Sequence, residues 1–457
     1  MNNNEAAHNK TTNNKTIGKT LSKTLSRKSI SVTEALKLVK NDQHIVTGLG
    51  AGEAKLFMES LHTIADDVVN VTVTNCLSPY HPTFYDKKYK KSFNIDSLFF
   101  SPSMRKAHKH GNAEFVPNHL HLAGTDRLKH ITPDIYVGVA TPPDKHGFMS
   151  LSLSNTYEKQ MIAKAKLVIL EVNANYPRTF GDVEVHIDDI DYMIEVDYDA
   201  PVLADIEPND KDLKIGELIA EQIQDGDTIQ LGIGGIPNAV AVCLRDKKDL
   251  GVHTEMLTSG MLDLIEQGVI SGKKKSLHPE KVVFSFALGS KKLYDYLDDN
   301  PSILVLNGAY VIDPYVISQN DNMVSINTAI EVDLTGQVCS ESIGQVQFSG
   351  SGGQTDTAVG AQMAKNGRSI IALYSTAMVK NDQGERVETS KIVTTLKRGA
   401  IVTLSRNSID MIATEYGMVS LKGTNVKERI ERLISIAHPK FREALRQEAI
   451  DFGILVE

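Results

Sequence analysis

The first regular pattern of apolar positions is Val32, Leu36 and Val39, a spacing that predicts one face of a helix. Ser31 and Glu34 precede it as a capping-box pair, in which each side chain satisfies a free amide at the helix start. A β-type run, Ile45-Val46-Thr47, then enters a glycine turn, Gly48-Leu49-Gly50-Ala51-Gly52, and a helical stretch to about Leu61. The same order returns about 184 residues later. Residues 212–224 carry Ile215, Leu218, Ile219 and Ile223 on one helical face, and Asp225-Gly226-Asp227 is a turn. Thr228-Ile229-Gln230-Leu231 reads as a strand and runs into Gly232-Ile233-Gly234-Gly235-Ile236-Pro237, where Pro237 suits the first turn of another helix.

The correspondence extends along both halves. Strand 68–74 matches 252–258, segment 95–100 matches 282–287, and strand 166–172 matches 368–374. Asp144-Lys145-His146-Gly147 matches Asp333-Leu334-Thr335-Gly336, and Ile190-Asp191-Tyr192 matches Ile409-Asp410-Met411 after an inserted hairpin near 380–397. A repeat this long predicts a pair of domains, since solenoid periods run about 20–50 residues. Strands alternating with helices across glycine turns predict two similar open α/β domains with largely parallel sheets. The expected units are a basic disordered tail at 1–29, an N-terminal domain at 30–204 and a C-terminal domain at 205–457, with 197–212 as linker. Ligands of such sheets bind beyond the carboxyl ends of the strands, which directs attention to the turns at 48 and 232.

Composition narrows the function. The chain has 457 residues, 41% of them hydrophobic, and no run approaches the ~18–20 apolar residues that span a bilayer. Residues 1–29 carry six Lys/Arg against Glu5, so the tail is +5 and the remainder −13 of a net −8. A body this acidic is a poor partner for nucleic acid. The basic tail also fits an organelle transit segment, although cytoplasm is the expected location. Three widely spaced cysteines, Cys76, Cys243 and Cys339, form no CxxC pair, which argues against a disulfide framework and for a reducing compartment.

The glycine turns exclude the commonest nucleotide readings. The third glycine of G-x-G-x-x-G is Glu53 in one copy and Pro237 in the other, and no GxxxxGK[S/T] run exists. The amides at 232–236 still open a helix, a place suited to an anionic or carbonyl oxygen. A second glycine run, Phe348-Ser349-Gly350-Ser351-Gly352-Gly353-Gln354, is either a flexible loop or a ligand cradle built from successive amides. It lies in the second copy only; its counterpart is Asn155-Thr156-Tyr157-Glu158. A further asymmetry is Glu255, in a strand whose first-copy match is Val-Asn-Val-Thr-Val. A carboxylate inside a short apolar strand needs a partner or a chemical role.

The runs 230–240 (QLGIGGIPNAV), 251–256 (GVHTEM), 321–336 (DNMVSINTAIEVDLTG), 348–354 (FSGSGGQ), 413–416 (ATEY) and 435–442 (SIAHPKFR) resemble the acetyl-CoA hydrolase/transferase family, nearest its 4-hydroxybutyrate and butyryl-CoA:acetate CoA-transferases. So do 142–151 (PPDKHGFMSL) and 177–182 (PRTFGD), except that Phe180 stands where relatives commonly have a polar residue. The resemblance covers about residues 30–457 and implies a duplicated CoA-transferase-like fold. It implies that Glu255 is the nucleophile, that Gln230, Leu231, Gly232, Ile233, Gly234 and Gly353 contact CoA, and that Ile330 is an apolar contact for the pantetheine arm. It also implies a homodimer, with an acyl-CoA and a small carboxylic acid as partners, no tightly bound cofactor and no metal. A carboxylate nucleophile suits CoA exchange because anhydride and thioester stay near one another in energy, whereas a serine ester would dissipate the thioester. An ordinary carboxylate is ionised at pH 7 and needs no histidine base. The same scaffold allows simple acyl-CoA hydrolysis, or transfer to a dicarboxylic acid such as succinate or itaconate. Residues 48–53 of the first copy are expected to close the site against water.

Other clusters carry less. His108-Lys109-His110 and His119-Leu120-His121 place two imidazoles on one side of a strand, yet no carboxylate at matching spacing accompanies them. Lys273-Lys274-Lys275 reads as a solvated charge run rather than a phosphate contact, and Met256 as core or pocket wall. No Ser/His/Asp arrangement is evident.

Overall fold

A computed structural model describes residues 24–204, 206–380 and 383–456. The first half builds one seven-stranded sheet from β1 (His44–Leu49), β2 (Val71–Cys76), β3 (Phe93–Ser97), β4 (Ala113–Phe115), β5 (Ile135–Ala140), β6 (Leu167–Asn173) and β7 (Tyr192–Val196), in the order β4-β3-β2-β1-β5-β6-β7. All of its pairings are parallel. The second half repeats the arrangement with β8 (Thr228–Leu231), β9 (Gly251–Leu257), β10 (Val282–Ala287), β11 (Ile303–Val305), β12 (Met323–Thr328), β13 (Arg368–Ala372) and β14 (Met411–Thr414). Its order, β11-β10-β9-β8-β12-β13-β14, is the first order over again, with an antiparallel edge strand β15 (Gly417–Ser420) added. The expected α/β duplication is therefore present strand for strand, and β-branched runs such as Val282-Val283 and Ile370-Ile371 occupy its buried strands.

Local chemistry repeats as well. Asp144 Oδ1 accepts from the amides of His146 and Phe148, and Asp333 Oδ1 accepts from those of Thr335 and Gln337. Each turn closes on a left-handed glycine, Gly147 at φ 90° and Gly336 at φ 96°, where a side chain would be strained. Helix starts follow the predicted caps. Ser31 and Glu34 form a reciprocal capping box, and Asn209 with Asp212 forms another at the head of Asp210–Ala220. That helix begins two residues earlier than the spacing suggested, because Asn209 is the better cap.

One apolar core runs through both halves, from Val46 and Leu49 to Val283 and Ile326. Backbone hydrogen bonds also cross the seam: Asn155 to Ser285 O, Ala287 to Leu153 O and Val305 to Phe180 O, each 2.8 Å. Phe180 contributes its backbone carbonyl here.

The expected disordered tail requires a correction only at its end, residues 24–29. Residues 1–23 lie outside the described residues, but 24–28 are helical and Ser29 bridges to Met193. Leu25 packs against the core, and Lys28 Nζ donates to the carbonyl of Ile187 at 2.8 Å. One apolar anchor and a carbonyl-capped ammonium suffice to order this segment. The lysine run needs one too: Lys273 and Lys274 are exposed, whereas Lys275 is buried, its Nζ donating to Val252 O at 2.7 Å and Lys281 O at 2.8 Å. No described helix is long and apolar enough to cross a membrane.

Candidate active site

Strand β9 alternates its side chains, so His253 and Glu255 share a face. His253 is buried and hydrogen-bonded through Nε2 to Val311 O at 2.8 Å, and burial lowers its pKa to about 3. It is a neutral structural donor. Glu255 instead reaches a cleft of about 440 Å³ between the two halves. Gly353 N–H donates to Glu255 Oε2 at 2.7 Å, and Ser285 Oγ donates to the Glu255 carbonyl at 2.9 Å. A Cβ at Gly353 would fall 2.3 Å from Oε2, so the close approach of loop and carboxylate depends on glycine. Burial raises the Glu255 pKa to about 7, against the stabilising Gly353 hydrogen bond and with a further push from the negative Asp356. The expectation of a fully ionised carboxylate is thereby corrected: in the free protein near neutral pH it is poised between its two forms.

The second half supplies one side of the cleft through Gln230, Leu231, Gly232, Ile233, Met256, Asn327–Ile330 and the glycine run. Gln230 is buried; its Oε1 accepts from Ser325 Oγ at 2.9 Å, which ties the end of β8 to β12. Of the residues expected to contact CoA, Gln230, Leu231, Gly232, Ile233 and Ile330 line this cleft. Gly353 adjoins it through Glu255, whereas Gly234, at φ 115°, faces a separate small recess beside Leu203, Ile206 and Gly289.

The first half supplies Leu49, Cys76, Leu77, Phe99, Phe100, Arg105 and Leu120. From 48–53 only Leu49 reaches the cleft; its amide is held by Glu158 Oε1 at 2.8 Å, an acceptor that also receives Ser154 Oγ at 2.6 Å. Leu77 and the two phenylalanines follow β2 and β3, and the carboxyl-end rule could have found them once the half-to-half packing was known. Leu77 has φ 51°, a conformation a branched side chain adopts only when its surroundings enforce it. Cys76 is a buried, neutral thiol, its pKa pushed well up by desolvation. Arg105 is the one cation lining the cleft among the described residues; it lies 4.2 Å over the exposed Phe348 ring and donates to Phe348 O at 2.7 Å.

The histidine pairs take other places. His108 sits on a helix and bonds Ala113 O at 2.7 Å. His119 and His121 do meet a carboxylate, contrary to the sequence spacing: Asp356 of the second half lies 2.7 Å and 3.1 Å from their Nδ1 atoms. The first is a hydrogen bond and the second an ion-pair distance only; His121 bonds Asp356 through its backbone amide, which donates to Oδ2 at 3.4 Å. The three residues are the only group among the described residues whose ligand-type atoms are close enough to hold a metal ion.

Family models match both halves: the acetyl-CoA hydrolase/transferase N-terminal domain over residues 13–204 and the C-terminal domain over 289–449. The chain is 40% identical over 422 residues to the 4-hydroxybutyrate coenzyme A transferase of Clostridium kluyveri, covering 92% of this chain and 97% of that one. It is 36% identical over 436 residues to the butyryl-CoA:acetate CoA-transferase of Anaerostipes caccae, covering 93% and 96%. Among solved structures, 4-hydroxybutyrate CoA-transferase from Porphyromonas gingivalis superposes with a TM-score of 0.76 at 34% identity, covering 93% of this chain and 98% of that one.

Proposed function

The chain belongs to the acetyl-CoA hydrolase/transferase family and is an enzyme of the CoA-transferase kind, and from that premise we propose that it exchanges CoA between a short-chain monocarboxylic acyl thioester and an acid such as acetate, with Glu255 as nucleophile. The observation that carries this reading is the Glu255 carboxylate, held by the Gly353 amide in a cleft with apolar walls.

The route conserves the thioester's energy. Ionised Glu255 attacks the acyl carbonyl of the thioester and expels CoA thiolate, leaving an acyl-glutamyl anhydride. The thiolate then attacks the glutamyl carbonyl, releases the first acid and leaves a glutamyl-CoA thioester. The acceptor carboxylate repeats both steps in reverse, and Glu255 is regenerated. Each attack puts negative charge on a carbonyl oxygen, and a preorganised amide donor there is worth about 3–4 kcal/mol. The Gly353 amide already points at the Glu255 carboxylate, which supports that role for the glycine run, whereas the Gly232 amide is engaged with Ile326 O at 3.0 Å. CoA enters as substrate, and its remote body supplies binding energy for orienting the reacting end.

The walls support the acid class. Leu49, Cys76, Leu77, Phe99, Leu120, Met256 and Phe286 offer no charge to a second carboxylate, and Arg105 is engaged with Phe348. A dicarboxylate would bury an unpaired charge there. A four-carbon acyl chain suits such walls.

Incubation with butyryl-CoA, with and without acetate, tests the proposal, followed by borohydride trapping and peptide mapping. Acetyl-CoA formed only with acetate, together with modification at Glu255, is expected. Free CoA released at the same rate without an acceptor would replace the proposal with hydrolysis. Succinate outcompeting acetate would overturn the monocarboxylate assignment.

A further inference from the structure

The loop that holds Glu255 is itself held from the other half of the molecule. Asp356 lies in the first turn of the helix Gln354–Met363, three residues beyond Gly353, and its side chain is 1% exposed. His119 Nδ1 lies 2.7 Å from Asp356 Oδ1, and His121 Nδ1 lies 3.1 Å from Oδ2. The link spans 237 residues of chain between His119 and Asp356 and joins a first-half segment to the second-half glycine run. Ser351 Oγ donates to Asn118 O at 3.1 Å, and Arg105 donates to Phe348 O, so the run is gripped at three points. Between these points, Gly353 presents its amide to Glu255 at 2.7 Å.

A carboxylate this buried requires compensation, and the two imidazoles supply it. Burial alone would raise the Asp356 pKa, but the hydrogen bond from His119 and the attraction of both imidazoles outweigh it and hold the group below its ordinary value. The bond to Asp356 in turn raises His119, with Asp126 adding a smaller attraction. The arrangement is asymmetric in exposure: His119 is 56% exposed and His121 16%. A purely structural ion pair could sit anywhere along the seam. This one anchors the turn that carries Gly353, and its negative member is near enough to Glu255 to push that carboxyl upward.

Resting on the transferase reading above, we propose that His119, His121 and Asp356 form an interdomain latch of positioning residues that seats the 348–354 loop over Glu255, so that the Gly353 amide is in place and water is kept from the reacting carbonyl. When the latch is removed, the loop should open locally while both sheets remain folded. Chemistry should then slow more than binding weakens, and a larger share of acyl-CoA should be lost to water.

The test pairs the His119→Ala/His121→Ala double variant with His119→Asn/His121→Asn, which keeps an N–H donor near each Nδ1 position. Hydrogen exchange of the peptide covering 346–356 is measured beside steady-state kinetics with butyryl-CoA and acetate. The alanine variant is expected to exchange the 349–353 amides at least about 10-fold faster. Its kcat should fall about 10-fold with KM for butyryl-CoA within about 2-fold, and hydrolysis should rise several-fold relative to transfer. The asparagine variant should recover most of each effect. Unchanged exchange in the alanine variant overturns the latch even if the wild type transfers CoA. Faster exchange sustains the latch even if the wild type proves to transfer none, in which case the transferase reading fails alone. A stoichiometric metal in the untagged wild type, with kcat abolished by EDTA and restored by that metal, would also overturn it by making the same three residues ligands.

Discussion

Gly353 N–H donates to Glu255 Oε2 at 2.7 Å, and a methyl group on Gly353 would lie 2.3 Å from that same oxygen. The loop and the carboxylate therefore share a single arrangement, and one added carbon destroys it. Gly353→Ala is expected to lower kcat by about 100- to 1,000-fold, the effect of losing one preorganised donor. The variant should still fold, because Gly353 has φ −90°, which alanine adopts freely, but its melting temperature should fall, since the Cβ would also stand 3.0 Å from Ile312 Cγ2. Retained activity in a folded variant would mean that turnover does not require the 2.7 Å contact between this amide and Glu255.

The pH dependence follows from burial. Glu255 titrates at about 7, raised by desolvation and by Asp356, with the Gly353 hydrogen bond opposing. In the proposed route only the ionised form attacks, so kcat/KM for the acyl-CoA should climb through pH 7 and level off above 8. A limb near pH 4.5, the ordinary carboxylate range, would mean that Glu255 is solvated in the working enzyme. Glu255→Gln should abolish transfer throughout.

Much of this architecture is legible in the sequence, for identifiable reasons. The duplication shows because each α/β unit needs its own punctuation: Asp144 and Gly147 form the same turn as Asp333 and Gly336. Glu255 shows because a charge inside an apolar strand is costly without a use. What escapes is whatever depends on how the halves meet. Leu77 and Phe99 look like ordinary strand-end hydrophobics, and Leu120 like a buried loop residue, until the first sheet is set against β9. Asp356 completes the His119/His121 pair from a helix that no local spacing connects to it. Lys275 looks like part of a solvated run because nothing local announces the carbonyls of Val252 and Lys281 that bury it.

Pocket size should set acyl preference. Leu49 is 1% exposed to solvent and forms a wall of the cleft from the first half. Leu49→Ala removes three carbons of that wall, and each methylene in an apolar pocket is worth about 1–3 kcal/mol of discrimination. The ratio of kcat/KM for hexanoyl-CoA over butyryl-CoA should rise by about 10-fold or more. The same cavity should cost about 2–4 kcal/mol of stability, readable in urea. An unchanged ratio would place the acyl chain elsewhere in the cleft.

Glu53 provides a test of linkage away from the reaction. It is fully buried, its Oε1 accepts from Ser78 Oγ at 3.0 Å, and desolvation raises its pKa to about 8 despite that bond, with Glu171 adding repulsion. In the unfolded chain the same carboxyl titrates near 4.5. Between these values the folded state holds a proton that the unfolded state has released, so this group's stabilising contribution is complete below pH 4.5 and is lost as pH rises toward 8. Glu53→Gln keeps the neutral shape and has no proton to lose. The melting temperature of the variant relative to wild type should therefore increase with pH, by roughly 5 °C between pH 5 and pH 9. A constant offset across that range would mean that Glu53 is ionised in the folded protein, and the Ser78 hydroxyl would then be donating to a charge.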